Sequence, residues 1–212
     1  IQATASEIQT YYNKIISEKP SWNDLLDGSS NANGWDIFNA NHGAEQCGFS
    51  EGAYHAYARQ DKVVGECFAR VPTFNNFIYR VQMYVVEGDS GGIIFRSKTP
   101  NYNSVMYRFH LSVLNNGSYD VYRSYNNNQG DNFACGGIQV DYCPSTTIIA
   151  GVHETNYLSV MAKGSKMYFF VNNLLIFWIT DSTSSTGYIG LFANDKPDTT
   201  DVQFNNAEVW KL

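Results

Sequence analysis

Gly88-Asp89-Ser90-Gly91-Gly92 spells the nucleophile signature of trypsin-like proteases. A serine in that role needs a histidine base and a carboxylate that orients it. In such proteases the serine comes well over a hundred residues after the histidine, whereas Ser90 follows His42 by only 48 positions. Asn41-His42-Gly43 also lacks the adjoining cysteine. The pentapeptide therefore reads as a turn in which Gly88 and Gly91 permit positive φ. Glycoside hydrolysis needs two carboxylates roughly 5–10 Å apart across a groove. Glu87-x-Asp89 is the one close pair with same-face spacing, and it falls in that turn; His153-Glu154 is adjacent rather than spaced. Paired acids can come from distant strands, but no catalytic pair is legible along the chain. Asp195, Asp198 and Asp201 put oxygens into one loop, and calcium takes about six to eight. Their spacing matches no defined calcium loop, so a structural calcium stays open and no other cofactor is expected.

Four cysteines fall as two local pairs, Cys47/Cys67 and Cys135/Cys143. No Cys-x-x-Cys occurs, and His42, His55 and His153 lack zinc-finger spacing. Three pairings are open from the sequence. The expectation is Cys47–Cys67 and Cys135–Cys143, each closing a local segment poor in apolar residues, which places the chain in an oxidising, extracellular setting. Asn116-Gly117-Ser118 has the form of a glycosylation acceptor but reads as a hairpin turn. The net charge of −6 and the absence of a Lys/Arg run exclude nucleic acid, which needs a positive stripe, and disfavour an anionic membrane surface. No apolar run approaches the ~18 residues of a membrane-spanning helix.

The elements that must position these groups are short strands. Fifteen Tyr, 13 Phe and only 16% charged residues suit half-buried pleated surfaces. Phe77–Val86 alternates most cleanly, with Tyr79, Val81, Met83 and Val85 on one face and Arg80, Gln82 and Tyr84 on the other. Gly34–Phe38, Gly52–Arg59, Gly91–Arg96, Val105–Val113 and Ser118–Ser124 continue the pattern. So do Tyr157–Ala162, Lys166–Val171, Leu174–Thr180, Gly187–Ala193 and Val202–Trp210. Trp22–Asn33 is loop-rich, and Tyr125–Cys143 reads as a long loop pinned by Cys135 and Cys143. Ile8, Tyr11, Tyr12 and Ile15 recur at helical spacing before Pro20, which predicts one helix over Ser6–Ser17, packed on an edge of the sandwich. It is too short and polar for a signal peptide. Strands this short with no intervening helical pattern predict an all-β fold, an antiparallel two-sheet β-sandwich of jelly-roll type. Residues 1–20 form the helix and linker, and 21–212 a single β-sandwich domain without internal repeat. A start at Ile1 rather than Met points to a piece of a longer protein.

Gly88–Arg96, as Gly-Asp-x-Gly-Gly-x-x-Phe-Arg, and Asp181–Leu191, as Asp-Ser-Thr-x-x-x-Gly-x-Ile-Gly-Leu, carry a resemblance. Over about Trp35–Trp210 the chain resembles the concanavalin A-like lectin/glucanase superfamily. More narrowly it is similar to laminin-G-like bacterial modules that include levan-binding domains (carbohydrate-binding family 66) and the keto-glycoside hydrolase domains once called DUF1080. The resemblance implies a concave sheet whose outward side chains face a glycan. Carried over by strand parity, Arg80, Gln82, Tyr84, Arg96, Arg108 and His110 share that face, opposite Val81, Met83, Phe109 and Leu111. A one-residue slip would invert the whole set. Gln82 stands where hydrolase-like relatives tend to show an acid. The function implied is a non-catalytic, extracellular carbohydrate-binding module, monomeric, with a glycan or polysaccharide as partner. The alternatives are a glycoside-processing enzyme of the same family and a structural or sensory ectodomain without a sugar ligand. On this reading Arg96→Ala and Arg108→Ala weaken glycan binding and change stability little, because both heads would face solvent.

Overall fold

The computed structural model describes residues 3–40, 43–59, 63–70, 72–114, 116–125, 130–133, 143–194 and 199–212. Helix α1 (Ala5–Ile16) precedes β1 (Trp22–Asp24), β2 (Phe38–Ala40), β3 (Glu45–Ser50), β4 (Ala53–Ala58) and β5 (Val64–Phe68). Then come β6 (Phe77–Glu87), β7 (Ser90–Ser97), β8 (Met106–Ser112), β9 (Ser118–Ser124), β10 (Gly130–Asn132) and β11 (Cys143–Pro144). The chain closes with β12 (Thr155–Lys163), β13 (Lys166–Val171), β14 (Leu174–Thr180), β15 (Tyr188–Asn194) and β16 (Thr200–Lys211). Among the described residues these form two antiparallel sheets. One has nine strands in the order β14-β13-β12-β6-β16-β4-β3-β2, with β1 also on β16. The other has seven, β10-β9-β8-β7-β15-β5, with β11 on β9. The antiparallel β-sandwich expected from the alternation is the observed fold.

Period-two patterning builds the core. Phe77, Tyr79, Val81, Met83 and Val85 of β6 are buried from one sheet, and Tyr107, Phe109 and Leu111 of β8 from the other. Phe169 of β13 meets Phe109 at 5.1 Å and Phe95 of β7 at 6.0 Å between ring centroids, joining the two layers. Each ring of this size buried contributes about 1.5–3 kcal/mol.

Gly88 and Asp89 do not close a hairpin within one sheet: they carry the chain from β6 in the nine-stranded sheet to β7 in the seven-stranded one. Gly88 has φ +85, and a Cβ there would stand 2.3 Å from Thr200 Oγ1. Ser90 is 1% exposed, its Oγ engaged with Asp89 Oδ1 (2.9 Å) and the Asn194 carbonyl (3.2 Å). The turn reading holds for Gly88 and Asp89 alone: Ser90, Gly91 and Gly92 already belong to β7, and Gly91 is not at positive φ. His42 lies outside the described residues.

Several local expectations change. A strand was expected at Gly34–Phe38, but Trp35 makes only an isolated bridge to Ala69 and the strand begins at Phe38. There Asp36 turns inward to accept the Phe68 amide (3.1 Å) and Arg70 Nε (2.7 Å). β10 falls within the stretch read as one long loop, and β1 within the loop-rich stretch before it. The helix is capped by Thr4 and Glu7 in a reciprocal capping box. It packs on the outer face of the nine-stranded sheet rather than at an edge. Tyr12 stacks on Phe170 at 3.8 Å, and its hydroxyl meets Ser159 Oγ at 2.8 Å. Burial pushes the Tyr12 phenol up to about 12.

Cys47 and Cys67 are bonded, with Cα atoms 5.8 Å apart, tying β3 of one sheet to β5 of the other. Cys143 is disulfide-bonded, while Cys135 lies outside the described residues. The 20-residue separation of Cys47 and Cys67 gives a loop-closure contribution of about 3 kcal/mol in the chain-entropy model. The Cys47→Ser/Cys67→Ser variant should lose about that much unfolding free energy in urea titration; a loss under ~1 kcal/mol would show that strand pairing alone holds this corner.

Candidate functional site

A largely buried polar cluster lies on the outer face of the seven-stranded sheet, where ladder register fixes what stands beside what. One row across the strands reads Glu66, Phe192, Gly92, His110, Asp120. The next reads Phe68, Gly190, Ile94, Arg108, Tyr122. Phe68, Ile94, Met106 and Phe192 form an apolar floor. Gly92 belongs to it because a Cβ there would stand 2.9 Å from the Phe192 ring.

Arg108 reaches from β8 across β7 and β15 and donates from Nη2 to Glu66 Oε1. Both are largely buried, Arg108 9% and Glu66 6% exposed. Burial pushes the Glu66 carboxyl above its usual range; Arg108 opposes this, and nearby Glu45 adds to it. Glu66 Oε2 and Arg108 Nε have no hydrogen-bond partner among the described residues. Beside them Asp120 Oδ2 holds His110 Nδ1 at 3.0 Å, and the imidazole lies 5.6 Å from the Phe192 ring. Fixing one ring nitrogen against a carboxylate orients the imidazole. Glu66 and Phe68 open into a pocket of about 170 Å³ whose rim includes Glu45, Asp36, Arg70 and the exposed Tyr102. That is below the ~300–1,000 Å³ of pockets for drug-sized ligands. It suits one ring or one end of a longer chain.

The six residues expected to share a face do not. Arg108 and His110 stand on this outer face, but Arg80, Gln82 and Tyr84 belong to β6 and lie on the outer face of the opposite sheet. There Arg80 pairs with Glu208 at 2.7 Å between the rings of Trp210 (5.1 Å) and Tyr157 (5.8 Å). Gln82 Oε1 accepts from Asn206 (3.1 Å), and Tyr84 Oη lies 3.1 Å from His153 Nδ1. Arg96 is on neither face. The ladder shifts register next to it and its φ is +50, which turns the side chain into the end of the sandwich, where it is 0% exposed. Parity within each strand was read correctly, since Val81, Met83, Phe109 and Leu111 are all in the core. The error came from the Gly88–Asp89 crossover, which puts β6 and β7 in different sheets. The expectation that Arg96→Ala and Arg108→Ala change stability little fails with it, because neither head is solvent-facing.

Of the calcium candidates, Asp195 and Asp198 lie outside the described residues, and Asp201 meets His55 Nδ1 at 2.8 Å. Among the described residues no group of three His, Cys, Asp or Glu is placed to hold a metal, and no helix is long and apolar enough to cross a membrane.

Glu66, Asp120, Tyr122 and Tyr102 were not singled out in the sequence. Asp120 and Tyr122 were legible by parity, alternating with buried Tyr119 and Val121. Glu66 had a subtler signal: Cys67 must face inward to reach Cys47, which turns its neighbour outward.

The family model described as a 3-keto-alpha-glucoside-1,2-lyase-like domain matches residues 21–209. Solved structures share the fold. A carbohydrate-binding module CBM66 from Bacillus subtilis aligns at TM-score 0.63 and 16% identity over 84% of this chain and 96% of its own. A putative glycosyl hydrolase from Parabacteroides distasonis aligns at TM-score 0.58 and 14% identity over 90% and 94%. A Bacillus licheniformis beta-glucanase aligns at 0.56 and 11% over 92% and 100%. No curated protein matches the chain in sequence.

Proposed function

Because the chain belongs to the 3-keto-alpha-glucoside-1,2-lyase-like family, we propose that it recognises a glycan outside the cell, on the outer face of the seven-stranded sheet. The observation that carries this reading is Glu66, which lines the pocket and is ion-paired across the sheet with Arg108. Buried polar atoms are nearly always hydrogen-bonded. A sugar hydroxyl in the pocket is a donor of the kind the Glu66 carboxylate lacks at Oε2. Tyr102 at the rim supplies an aromatic face, and Phe68 in the lining supports the ring. The Cys47–Cys67 bond fits an oxidising, extracellular compartment.

Calorimetry after a glycan-array screen tests this. Glu66→Gln keeps the volume and removes the charge, so it should weaken a verified glycan about tenfold or more, the worth of one hydrogen bond to a charged group. Binding of no glycan, or unchanged binding by the variant, refutes the reading.

A second reading, catalysis, is favoured by His110 and Asp120 on the same face. Elimination across carbons 1 and 2 of a 3-keto sugar breaks the C2–H bond beside the ketone and the C1–O bond to the aglycone. A base takes the proton, the C–H electrons form the C1–C2 double bond, and the aglycone leaves as an alcohol on gaining a proton. The carboxylate-oriented His110 imidazole is the base on this reading. Product release from a 3-keto-glucoside, abolished in His110→Ala, separates catalysis from binding alone. No release by the parent leaves recognition as the function.

A further inference from the structure

We propose that the outer face of the nine-stranded sheet carries a second ligand site, a slot between α1 and β12–β13, extended along the ladder by Trp178 of β14, that takes a uronate-bearing, acidic glycan. It lies in the other sheet from the Glu66 pocket and does not depend on the reading given to that pocket.

The first observation is electrostatic. The β12–β13 hairpin turns through Gly164, at φ +57, and the residues directly opposite each other beside the turn are Lys163 and Lys166. Both are exposed, and neither makes an ion pair among the described residues. Like charges directly opposite on neighbouring strands destabilise the pair, and a bound anion relieves that repulsion. One acid, Glu7, lines the slot beside the two lysines; its Oε2 accepts from the Thr4 amide (2.7 Å) and hydroxyl (2.9 Å) in the helix cap.

The second observation is aromatic. Tyr168 pairs across the ladder with Met161 on one side and Trp178 on the other, all on the outer face. Trp178 is 53% and Tyr11 37% exposed. Lys163 Nζ sits 5.6 Å from the Tyr11 ring, so cation and aromatic wall adjoin. The space bounded by Tyr11, Tyr168, Met161 and the two lysines is about 450 Å³, within the range that holds a small ligand. The Trp178 and Tyr11 rings both present apolar surface to solvent that a stacked ligand would cover.

Together these select a ligand. The C–H face of a pyranose is electropositive and lies well on the negative face of an aromatic ring. Adjacent strands stand about 4.8 Å apart, which sets Tyr168 and Trp178 side by side as one platform. A sugar carboxylate then reaches the ammonium pair through charge-assisted hydrogen bonds. Two lysines on a protein of net charge −6 fall short of the roughly 4–8 clustered cations that hold a protein to an anionic bilayer.

Native electrophoresis in gels cast with polygalacturonate or alginate tests the proposal, with fully methyl-esterified pectin as the uncharged control. The protein should be retarded by a polyuronate and not by the ester. Trp178→Ala and Lys163→Gln/Lys166→Gln should each weaken binding at least tenfold, while Glu66→Gln should bind as the parent does. Lys163, Lys166 and Trp178 are at the surface, Glu66 is buried, and thermal melts confirm that every variant is folded before its binding is compared. No retardation by either polyuronate, equal retardation of the variants, loss on Glu66→Gln, or binding to phosphatidylserine vesicles in place of polyuronate would each overturn it.

Discussion

Arg108→Ala should lower the unfolding free energy by about 3–5 kcal/mol at neutral pH, the usual consequence of removing one partner of a buried ion pair. Glu66 would remain 6% exposed on the floor of its pocket, without the guanidinium that opposes its desolvation. The deficit should also depend on pH. Burial already holds the Glu66 carboxyl above its ordinary value of 4.5. A carboxyl raised in the folded state adds stability below its unfolded pKa and loses that contribution as pH climbs through the folded value. Without Arg108 the folded pKa rises further, so the gap between variant and parent should be smallest near pH 4. It should widen with pH until Glu66 is ionised in both. Urea titrations across that range check this. A constant deficit, or one below about 1 kcal/mol, would mean that the pair is solvated. Glu66→Leu placed on the Arg108→Ala background should recover part of the loss, because it removes the stranded charge.

How much of this was legible in the sequence depends on which physical relation each feature rests on. Alternation reports which face of a strand meets the core, and it assigned Val81, Met83, Phe109 and Leu111 correctly. It carries no information on which sheet a strand joins. That is decided at connections such as Gly88–Asp89, where a turn back along one sheet and a crossing to the other use the same residue types. Arg80, Gln82 and Tyr84 were therefore placed with Arg108 and His110, although a core lies between them. Glu66 and Arg108 come from strands 42 residues apart in sequence, and no local spacing could pair them. The Cys47–Cys67 bond was legible because it is local. The helix was legible to within one residue, Ala5–Ile16 against Ser6–Ser17, because its periodicity and capping residues are local too.

Arg96→Ala is the second variant expected to cost several kcal/mol, and it does so far from the pocket. Arg96 is 0% exposed and has no carboxylate partner among the described residues. Its guanidinium donates to the Asn75 carbonyl (2.9 Å) and the Ser184 carbonyl (3.3 Å), while Ser184 Oγ returns a bond to the Arg96 carbonyl (3.0 Å). The side chain thus clamps the segment before β6 to the segment before β15. The latter includes Asp181, which accepts from Tyr107 and Arg123. Hydrogen bonds from a charged donor are worth about 1.5–3 kcal/mol each, offset in part by release of a buried charge, so a net loss of about 3 kcal/mol is expected. Two comparisons isolate the cause. Arg96→Met fills most of the same space without the donors and should lose nearly as much as alanine if the bonds matter more than the volume. Arg96→Gly should be no worse than alanine, although glycine inside a strand ordinarily costs about 0.5–1 kcal/mol more, because φ is +50 at this position and alanine keeps the strain that glycine relieves. Hydrogen exchange should then quicken at Phe74 and Gly187, whose amides bond each other's carbonyls at 2.9 and 3.0 Å, while β8 and β9 stay protected. Wild-type stability in Arg96→Met, with exchange unchanged at those two amides, would show that the arginine fills space and clamps nothing.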